Sequence, residues 1–476
     1  MLKYFPRNFA DTAVYVYIAA LLTVSVLFMR PMNWQFWLFS SVAVFAFFLY
    51  ASRCTMGWRF LSEKSFVQRI FRTSVAIRLI YVVVIYFFYV KYTGSYFEIG
   101  AADSYTYHLL GTKAAEMISS GEFDFRRQMD AMGFFSRGIE ISDTGYPIYL
   151  GFVYLLSGNS IVVARLLKAV LSACTVILTY RVAKRNFGDD VARITAIFCM
   201  LMPNLIYYCG THLKETEMLF LAMLFIDRAD MLLHKHYVDV WSVVICVFSC
   251  LATYFFRAIL PIVLTLALIT ALVTGSIRMG SMSKRLSIVA IILALCGTVF
   301  WNAIAEELDL LDFGNLQAQQ EQNMQWRAER SGGNSLAKYA GASVFAPLIF
   351  TMPFPTLADV PGQEQQQMLS GGYYVKNVLS FFTILALFSL LKTGKWRDSV
   401  LPTAFTCGYL VVLVFSNFAQ SERFHIPVLP LELMFAAYGV SLFSYRQMKW
   451  QKRWMALMFV VALGWNFIKL YGRGLI

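Results

Sequence analysis

The sequence predicts an all-α protein that crosses a membrane many times. Hydrophobic residues fill 58% of its 476 positions and charged residues only 14%, whereas a soluble domain is about half apolar and a quarter charged. Apolar runs of about twenty residues recur along the chain, and each can cross a hydrocarbon core of roughly 30 Å. They lack the alternation of apolar and polar residues that membrane β-strands show. We therefore expect helices, which satisfy their own backbone hydrogen bonds in lipid.

The apolar runs predict about thirteen transmembrane helices in one membrane domain, residues 1–476. Two long polar stretches, 93–145 and 305–376, interrupt the series and are expected to be loops on one side of the membrane. The expected spans are 12–29, 35–52, 74–92, 160–180, 189–208, 216–232, 239–256, 258–275, 286–304, 377–392, 399–416, 426–444 and 454–470.

The first polar stretch contains its own helical pattern. Leu110, Ala114 and Met117 recur at helical spacing, which predicts an amphipathic helix over 104–120 that lies on the membrane surface. The apolar segment 146–156 that follows is too short to span a bilayer. It is expected to be a second interfacial or re-entrant helix.

Basic residues concentrate in alternate short connections, and this distribution predicts that those connections face the cytoplasm. Arg181, Lys184 and Arg185 form one such cluster, and Lys449 and Lys452 belong to another. Both long polar stretches then fall on the opposite, extracytoplasmic side. The net charge of +13 is attributed to topology, and no nucleic-acid partner is predicted.

The cysteines and histidines do not predict a metal site. The eight cysteines form no CxxC pair and lie mostly in apolar runs, while His108 and His425 each lack a second histidine at metal-ligand spacing. We interpret the cysteines as small buried residues rather than a disulfide framework.

Three acidic residues are candidates for chemistry on the extracytoplasmic side. Asp103 opens the first long stretch, and Glu215 and Glu217 open the run at 216–232. A carboxylate there could accept a proton from an attacking hydroxyl or amine, or hold a divalent cation. The structural alternatives are a helix N-cap for Asp103 and favourable first-turn charges for the two glutamates.

Basic residues near the same side form a second candidate set. Arg165 lies one to two turns inside the end of its run, whereas Lys214, Arg257 and Arg423 lie at the ends of theirs. Such cations could bind a phosphate, which arginine can contact through two parallel hydrogen bonds. The alternative is that they extend to lipid headgroups.

The order of these features resembles that of the GT-C membrane glycosyltransferases. The similarity is firmest over about 95–235 and is recognisable again at 420–440. It points to the bacterial branch that contains the aminoarabinose and galacturonic acid transferases and is related to the protein O-mannosyltransferases. The segments that carry it are Asp103 in a first outer loop, TGYPIY at 144–149, ARLL at 164–167, YRVAKRNFG at 180–188, the acidic residues after Pro203, ERFHIPVLP at 422–430 and AAYG at 436–439.

The resemblance implies a GT-C fold and a glycosyltransferase activity. The donor would be a sugar on a polyprenyl phosphate or diphosphate, transferred with inversion to a glycan, lipid or protein acceptor. The implied location is the bacterial inner membrane, with the active site on the periplasmic side. Asp103 matches the family's catalytic acid, and Glu215 its second acidic position, with Glu217 as the alternative register. Ser104 stands where many members have a second acid. Whether a Mg²⁺ or Mn²⁺ ion binds near Asp103 is therefore left open.

Two other classes compete with this interpretation. A polysaccharide polymerase or ligase also combines a large outer loop with lipid-linked sugars. A transporter of lipid-linked sugars would have many spans, but symmetric halves and broken helices at the midplane would be expected. The early loop around Asp103 favours the glycosyltransferase.

Overall fold

The computed structural model describes residues 2–121, 143–234, 239–274, 313–330, 332–416, 418–444 and 447–476. Apart from turns and one isolated bridge between Pro31 and Ala358, their regular structure is helical. The helices of the first half are α1 (Arg7–Phe28), α2 (Trp34–Gly57), α3 (Glu63–Thr93), α4 (Ala102–Ser120), α5 (Gly145–Ser157), α6 (Ile161–Phe187), α7 (Asp189–Leu201), α8 (Pro203–Tyr207) and α9 (Glu215–His234). Those of the second half are α10 (Val240–Tyr254), α11 (Ile259–Thr274), α12 (Phe313–Glu329), α13 (Ala342–Leu348), α14 (Glu364–Thr393), α15 (Val400–Phe415), α16 (Glu422–His425), α17 (Leu429–Leu442) and α18 (Met448–Tyr471).

The helices confirm the all-α, membrane-spanning class. Among the described residues, seven segments are long and apolar enough to cross a membrane: α1, α3, α6, α14 and α18, α2 extended to Phe60, and α15 extended back to Lys395. Four shorter apolar helices, α5, α10, α11 and α17, accompany them. The total of about thirteen spans stays a prediction, because the span at 286–304 lies outside the described residues.

The predicted span 189–208 is wrong as a single helix. It consists of α7 and α8, separated at Met202. Pro203 has no N–H group to bond to the carbonyl of Cys199, so the helical ladder stops there. The Arg78 guanidinium replaces that donor from α3, with hydrogen bonds of 3.2 Å to the carbonyls of Cys199 and Met200.

The centre of the bundle is packed with aromatic rings. Phe5 contacts Phe198 edge-on at 5.4 Å between ring centroids, and Phe9 contacts Phe443 in the same way at 4.7 Å. These contacts join the start of the chain to α7 and to the end of α17. Helix α17 is buried over nearly its whole length and packs between α14 and α7, so it forms the core of the bundle.

Among the described residues, polar contacts mark two ends of the bundle, and the side of the membrane that each end faces stays a prediction. At one end, which we call the basic end, Arg185 pairs with Asp227 at 2.7 Å and with Asp230 at 2.6 Å, and Lys184 pairs with Glu63. The other end, which we call the loop end, carries α4, α5, α12 and α13 together with the first turn of α9.

Helices α4 and α5 pack tightly against each other at the loop end. A Cβ atom at Gly151 would lie 2.8 Å from the Cβ of Ala114, and one at Gly111 would lie 2.7 Å from the Cβ of Leu150. Helix α4 confirms the helix predicted over 104–120. Its apolar side packs against α5 and thus against protein, not against the membrane alone.

Candidate functional site

One arginine joins two of the predicted acidic residues. Arg423 donates through Nη1 to the Asp103 carboxylate and through Nε to the Glu215 carboxylate. The sequence separations are 320 and 208 residues, so the contacts depend on the fold. Three expected site residues thus meet at the loop end.

The chain places each of these side chains at the end of a helix. Asp103 lies in the first turn of α4, whose N-cap is Ala101, and no side chain caps that helix. The N-cap interpretation of Asp103 is therefore wrong. Glu215 begins α9, and Arg423 belongs to the short helix α16 between two apolar helices.

Arg257 contacts the same glutamate from a second direction. Its Nη2 lies 3.7 Å from Oε1 of Glu215, and its Nη1 donates to the Tyr409 hydroxyl at 3.1 Å. The guanidinium carbon stands 4.3 Å from the centroid of the Phe424 ring, a cation–π contact. Arg257 is thereby fixed behind Arg423.

The two arginines keep Glu215 ionised. Its side chain is fully buried, and burial raises the pKa of a carboxyl group. Arg423 and Arg257 together outweigh that effect, and the pKa of Glu215 lies below its ordinary value.

The remaining candidates pair with other groups. The Glu217 carboxylate lies 3.6 Å from the Lys168 ammonium, and Lys168 also donates to the carbonyls of Thr211 and Leu213. Lys214 contacts the Asp143 carboxylate. These pairs connect α6 and the segment that leads into α5 to the start of α9.

Arg165 is buried in a pair of its own. Its Nη2 lies 3.7 Å from Oε2 of Glu98, and its guanidinium has no hydrogen-bond partner among the described residues. It does not extend to the surface of the bundle, so the headgroup interpretation does not apply to it. Lys214, which is 4% exposed, is likewise directed into the protein.

Glu98 was not predicted as a site residue. Its carboxylate accepts hydrogen bonds from the Ser104 hydroxyl and, at 3.3 Å, from the backbone N–H of His212. Ser104 directly follows Asp103, so Glu98 fixes the start of α4. A single glutamate in a connecting segment gives no sequence signal for this contact.

Glu422 is a second residue whose role the sequence did not indicate. One carboxylate oxygen accepts from Asn204 at 2.6 Å, and the other has no partner among the described residues. Burial raises the pKa of Glu422 to about 8, although Lys376 opposes the shift. This carboxyl group is therefore largely protonated at neutral pH and can donate a hydrogen bond.

A cavity of about 1020 Å³ opens beside these groups. Asp103, Arg423, Glu98 and Glu422 lie on its wall, next to apolar side chains. The Asp103 side chain is 59% exposed. It is thus available to a molecule in the cavity, while Glu215 supports Arg423 from behind.

The described residues do not form a ready metal site. No three His, Cys, Asp or Glu side chains among them converge. Arg423 occupies the position between Asp103 and Glu215 that a bridging cation would need. A Mg²⁺ or Mn²⁺ ion between these two carboxylates would have to displace the guanidinium.

Comparisons of the chain with protein-family models, with curated proteins and with solved structures give no match.

Proposed function

We propose that this chain is a membrane glycosyltransferase that moves a sugar from a polyprenyl phosphate or diphosphate to a glycan, lipid or protein acceptor. The observation that carries the proposal is the contact of Asp103 and Glu215 with Arg423 beside one cavity. Glycosyl transfer from a phosphate needs a base for the acceptor and a cation for the departing phosphate. An accessible carboxylate next to a fixed guanidinium meets both needs.

The reaction is an inverting substitution at the anomeric carbon. An acceptor O–H or N–H attacks that carbon, and Asp103 takes the proton. The bond from the carbon to the phosphate oxygen breaks, and the polyprenyl phosphate leaves with the electron pair. Arg423 stabilises the charge on the leaving oxygen, and Glu215 with Arg257 holds Arg423 in place. Asp103 thus holds the proton, and the leaving phosphate beside Arg423 holds the negative charge.

The surroundings suit a lipid-linked donor. The cavity lies at one end of a bundle of apolar helices, and its wall combines these polar groups with apolar residues such as Leu348, Val461 and Ile468. A polyprenyl chain stays in the bilayer, so its phosphate enters at headgroup level. We place the enzyme in a bacterial inner membrane with this end at the periplasmic face.

The test of the proposal is the substitution Asp103→Asn. Asparagine keeps the shape but cannot take a proton, so sugar transfer should fall about 10²- to 10⁴-fold. Stability should change little, because an ion pair this exposed contributes about 0–1 kcal/mol. The assay incubates purified protein in nanodiscs with radiolabelled polyprenyl-phosphate and polyprenyl-diphosphate sugars and a bacterial envelope extract as acceptor source. It measures the label that leaves the donor lipid.

The matched control is Asp190→Asn, which removes an exposed ion pair with Lys3, 3.0 Å long, at the basic end. It should transfer at the wild-type rate. Wild-type transfer that Asp103→Asn leaves unchanged would contradict the role of Asp103. If the wild type consumes none of the donors, the proposed function is rejected.

A further inference from the structure

The wall of the cavity carries four basic residues besides Arg423. Two lie at the end of α12 and two at the end of α18: Arg327, Arg330, Lys469 and Arg473. We call these four residues the cationic cluster. None of the four was predicted as a site residue from the sequence, because the two pairs lie more than a hundred positions apart in the chain.

The segment after α12 fixes the cluster to the end of α18. Asn334 donates through Nδ2 to the carbonyl of Ile468 at 3.3 Å, and Ser335 donates its backbone N–H to the carbonyl of Gly472 at 2.7 Å. These bonds bring the last turn of α12 beside the last turn of α18. The cluster is therefore a product of tertiary contacts.

The four members of the cluster make no ion pair with the described residues, in contrast to Arg423, Arg257, Lys214 and Arg165. Two carboxylates on the same cavity wall, those of Glu98 and Asp103, pair with Arg165 and Arg423 instead. Burial and the neighbouring Arg330 both lower the pKa of Arg327 and the pKa of Arg473. The folded chain thus holds these cations close together at an electrostatic cost, which a bound anion would offset.

Lys469 shows how the chain accommodates one member of the cluster. Its side-chain nitrogen is buried and donates to three neutral oxygens, those of Thr356 at 2.7 Å, Gln363 at 2.7 Å and Gln366 at 2.6 Å. These contacts satisfy the hydrogen bonds of its amino group without a carboxylate. The positive charge of the cluster is therefore assigned to its three arginines, which stay protonated at physiological pH.

The surroundings of the cluster indicate what kind of anion it takes. The wall of the same cavity also contains apolar side chains, among them Val344, Phe345 and Trp465. A ligand that satisfies both surfaces carries a compact anionic group and an apolar chain. Arginine clusters bind phosphate through parallel, charge-assisted hydrogen bonds.

We propose that the cationic cluster binds the phosphate group of an amphiphilic phosphate ester, with the apolar part of the ligand lying along the cavity towards Asp103. This site is separate from the groups assigned to sugar transfer. It requires only the cavity and the cationic cluster, and it would stand even if the chain transferred no sugar.

The experiment measures binding of farnesyl phosphate to the purified full-length protein in a neutral detergent by titration calorimetry. Each arginine removed should weaken binding about ten- to a hundredfold, the worth of one hydrogen bond to a charged group. The variants are Arg330→Gln, Arg473→Gln and their combination. Arg330→Lys with Arg473→Lys keeps the charge, and this pair should retain more affinity than the glutamine pair.

The matched control is Lys338→Gln. Lys338 is exposed on the segment that follows α12 and does not line the cavity. Its removal should leave binding within about twofold, since exposed charges outside a site contribute little.

Several outcomes would overturn the proposal. Farnesol binding as tightly as farnesyl phosphate would show that phosphate is not recognised. An equal loss in Lys338→Gln and Arg330→Gln would indicate diffuse attraction. Loss in Arg423→Gln but not in the double arginine variant would place the phosphate at Arg423 instead of the cluster. Thermal melting without ligand checks that every variant is folded.

Competition identifies the source of the phosphate. Displacement of farnesyl phosphate by phosphatidic acid, but not by inorganic phosphate at the same concentration, would assign the cluster to lipid ligands. Displacement by both would assign it to phosphate in general. Either result supports the site, whereas displacement by neither contradicts it.

Discussion

At the residue scale, the proposed function gives the guanidinium of Arg423 the role that a metal ion fills in many phosphate-handling sites. It is held between Asp103 and Glu215 and is half-buried. Arginine carries its charge at every physiological pH and can contact a phosphate through two hydrogen bonds. A fixed arginine can therefore supply the positive charge that the departing phosphate requires.

This arrangement predicts that transfer does not require a divalent cation. Chelation with EDTA should leave the transfer rate of the purified enzyme within about twofold of its value in Mg²⁺, because Arg423 stabilises the leaving group. Arg423→Gln should lower the rate under both conditions. A rate that falls with EDTA and recovers with Mg²⁺ or Mn²⁺ would restore the metal near Asp103.

Glu422 should make the stability of the protein depend on pH. Burial raises its pKa to about 8 in the folded chain, with Lys376 opposing and Glu432 reinforcing the shift, while an unfolded glutamate titrates near pH 4.3. The folded state holds this proton more tightly. Its contribution is complete below the unfolded pKa and is lost as pH rises through about 8.

We therefore expect the thermal midpoint of the wild type to fall between about pH 5 and pH 8, and to fall less in Glu422→Gln. Glutamine does not titrate and can still accept the hydrogen bond from Asn204. The control is Glu63→Gln, which removes an exposed carboxylate at the basic end. If Glu422→Gln and the wild type lose stability in parallel, Glu422 is not the titrating group.

The sequence predicted part of this site, and helix geometry explains the rest. Successive helical residues are rotated by about 100°, so Glu215 and Glu217 point in nearly opposite directions. Only Glu215 can face Arg423, and Glu217 turns to Lys168. Which of the two faced the site could not be predicted until the position of α9 in the bundle was known.

The contact between α4 and α5 controls the site at the scale of secondary-structure elements. Helix α4 carries Asp103 in its first turn, and α5 is its main packing partner. Glycine is required at the crossing, since a Cβ at Gly151 would lie 3.1 Å from the backbone carbon of Ala114. Backbone atoms cannot move aside as a flexible side chain can.

Gly151→Ala should therefore destabilise the protein by about 1–3 kcal/mol, the usual cost of overpacking. The comparison is Gly408→Ala in α15, where the new methyl group would lie 3.7 Å from Val263, an ordinary contact. Denaturant or thermal midpoints in detergent provide the measurement. Equal midpoints for the two variants would show that α4 and α5 separate easily.

Sequence patterns predicted where most helices lie but not how they are divided. Pro203 stood in the predicted run 189–208, yet an apolar run alone does not show whether a proline bends a helix or ends it. The break positions Asn204 against Glu422. Arg78 is a charged residue within an apolar run, and it donates to the carbonyls of Cys199 and Met200 beside the break. This departure from the hydrophobic pattern therefore stabilises the break.

At the scale of the whole molecule, polar groups separate to the two ends of the bundle. The basic end holds ion pairs such as Arg185 with Asp227, and the loop end holds the candidate site and the cationic cluster. The alternation of short basic connections predicts that these two ends face opposite sides of the membrane, and this stays a prediction. The meeting of α12 with the end of α18 could not be predicted, because it depends on long-range hydrogen bonds rather than on any local pattern.

The division predicts that both long polar stretches face the same compartment, opposite to the basic end. In a cysteine-free variant we place single cysteines at Ser119, Ser335 and Ser65, all of which are exposed. The first two lie at the loop end and the third at the basic end. A charged maleimide cannot cross lipid, so in intact spheroplasts it should label positions 119 and 335 but not position 65.

The control is labelling in permeabilised membranes, where all three positions should react with the maleimide. Labelling of only one loop position would contradict the shared side, and labelling of position 65 alone would invert the orientation and place the candidate site in the cytoplasm.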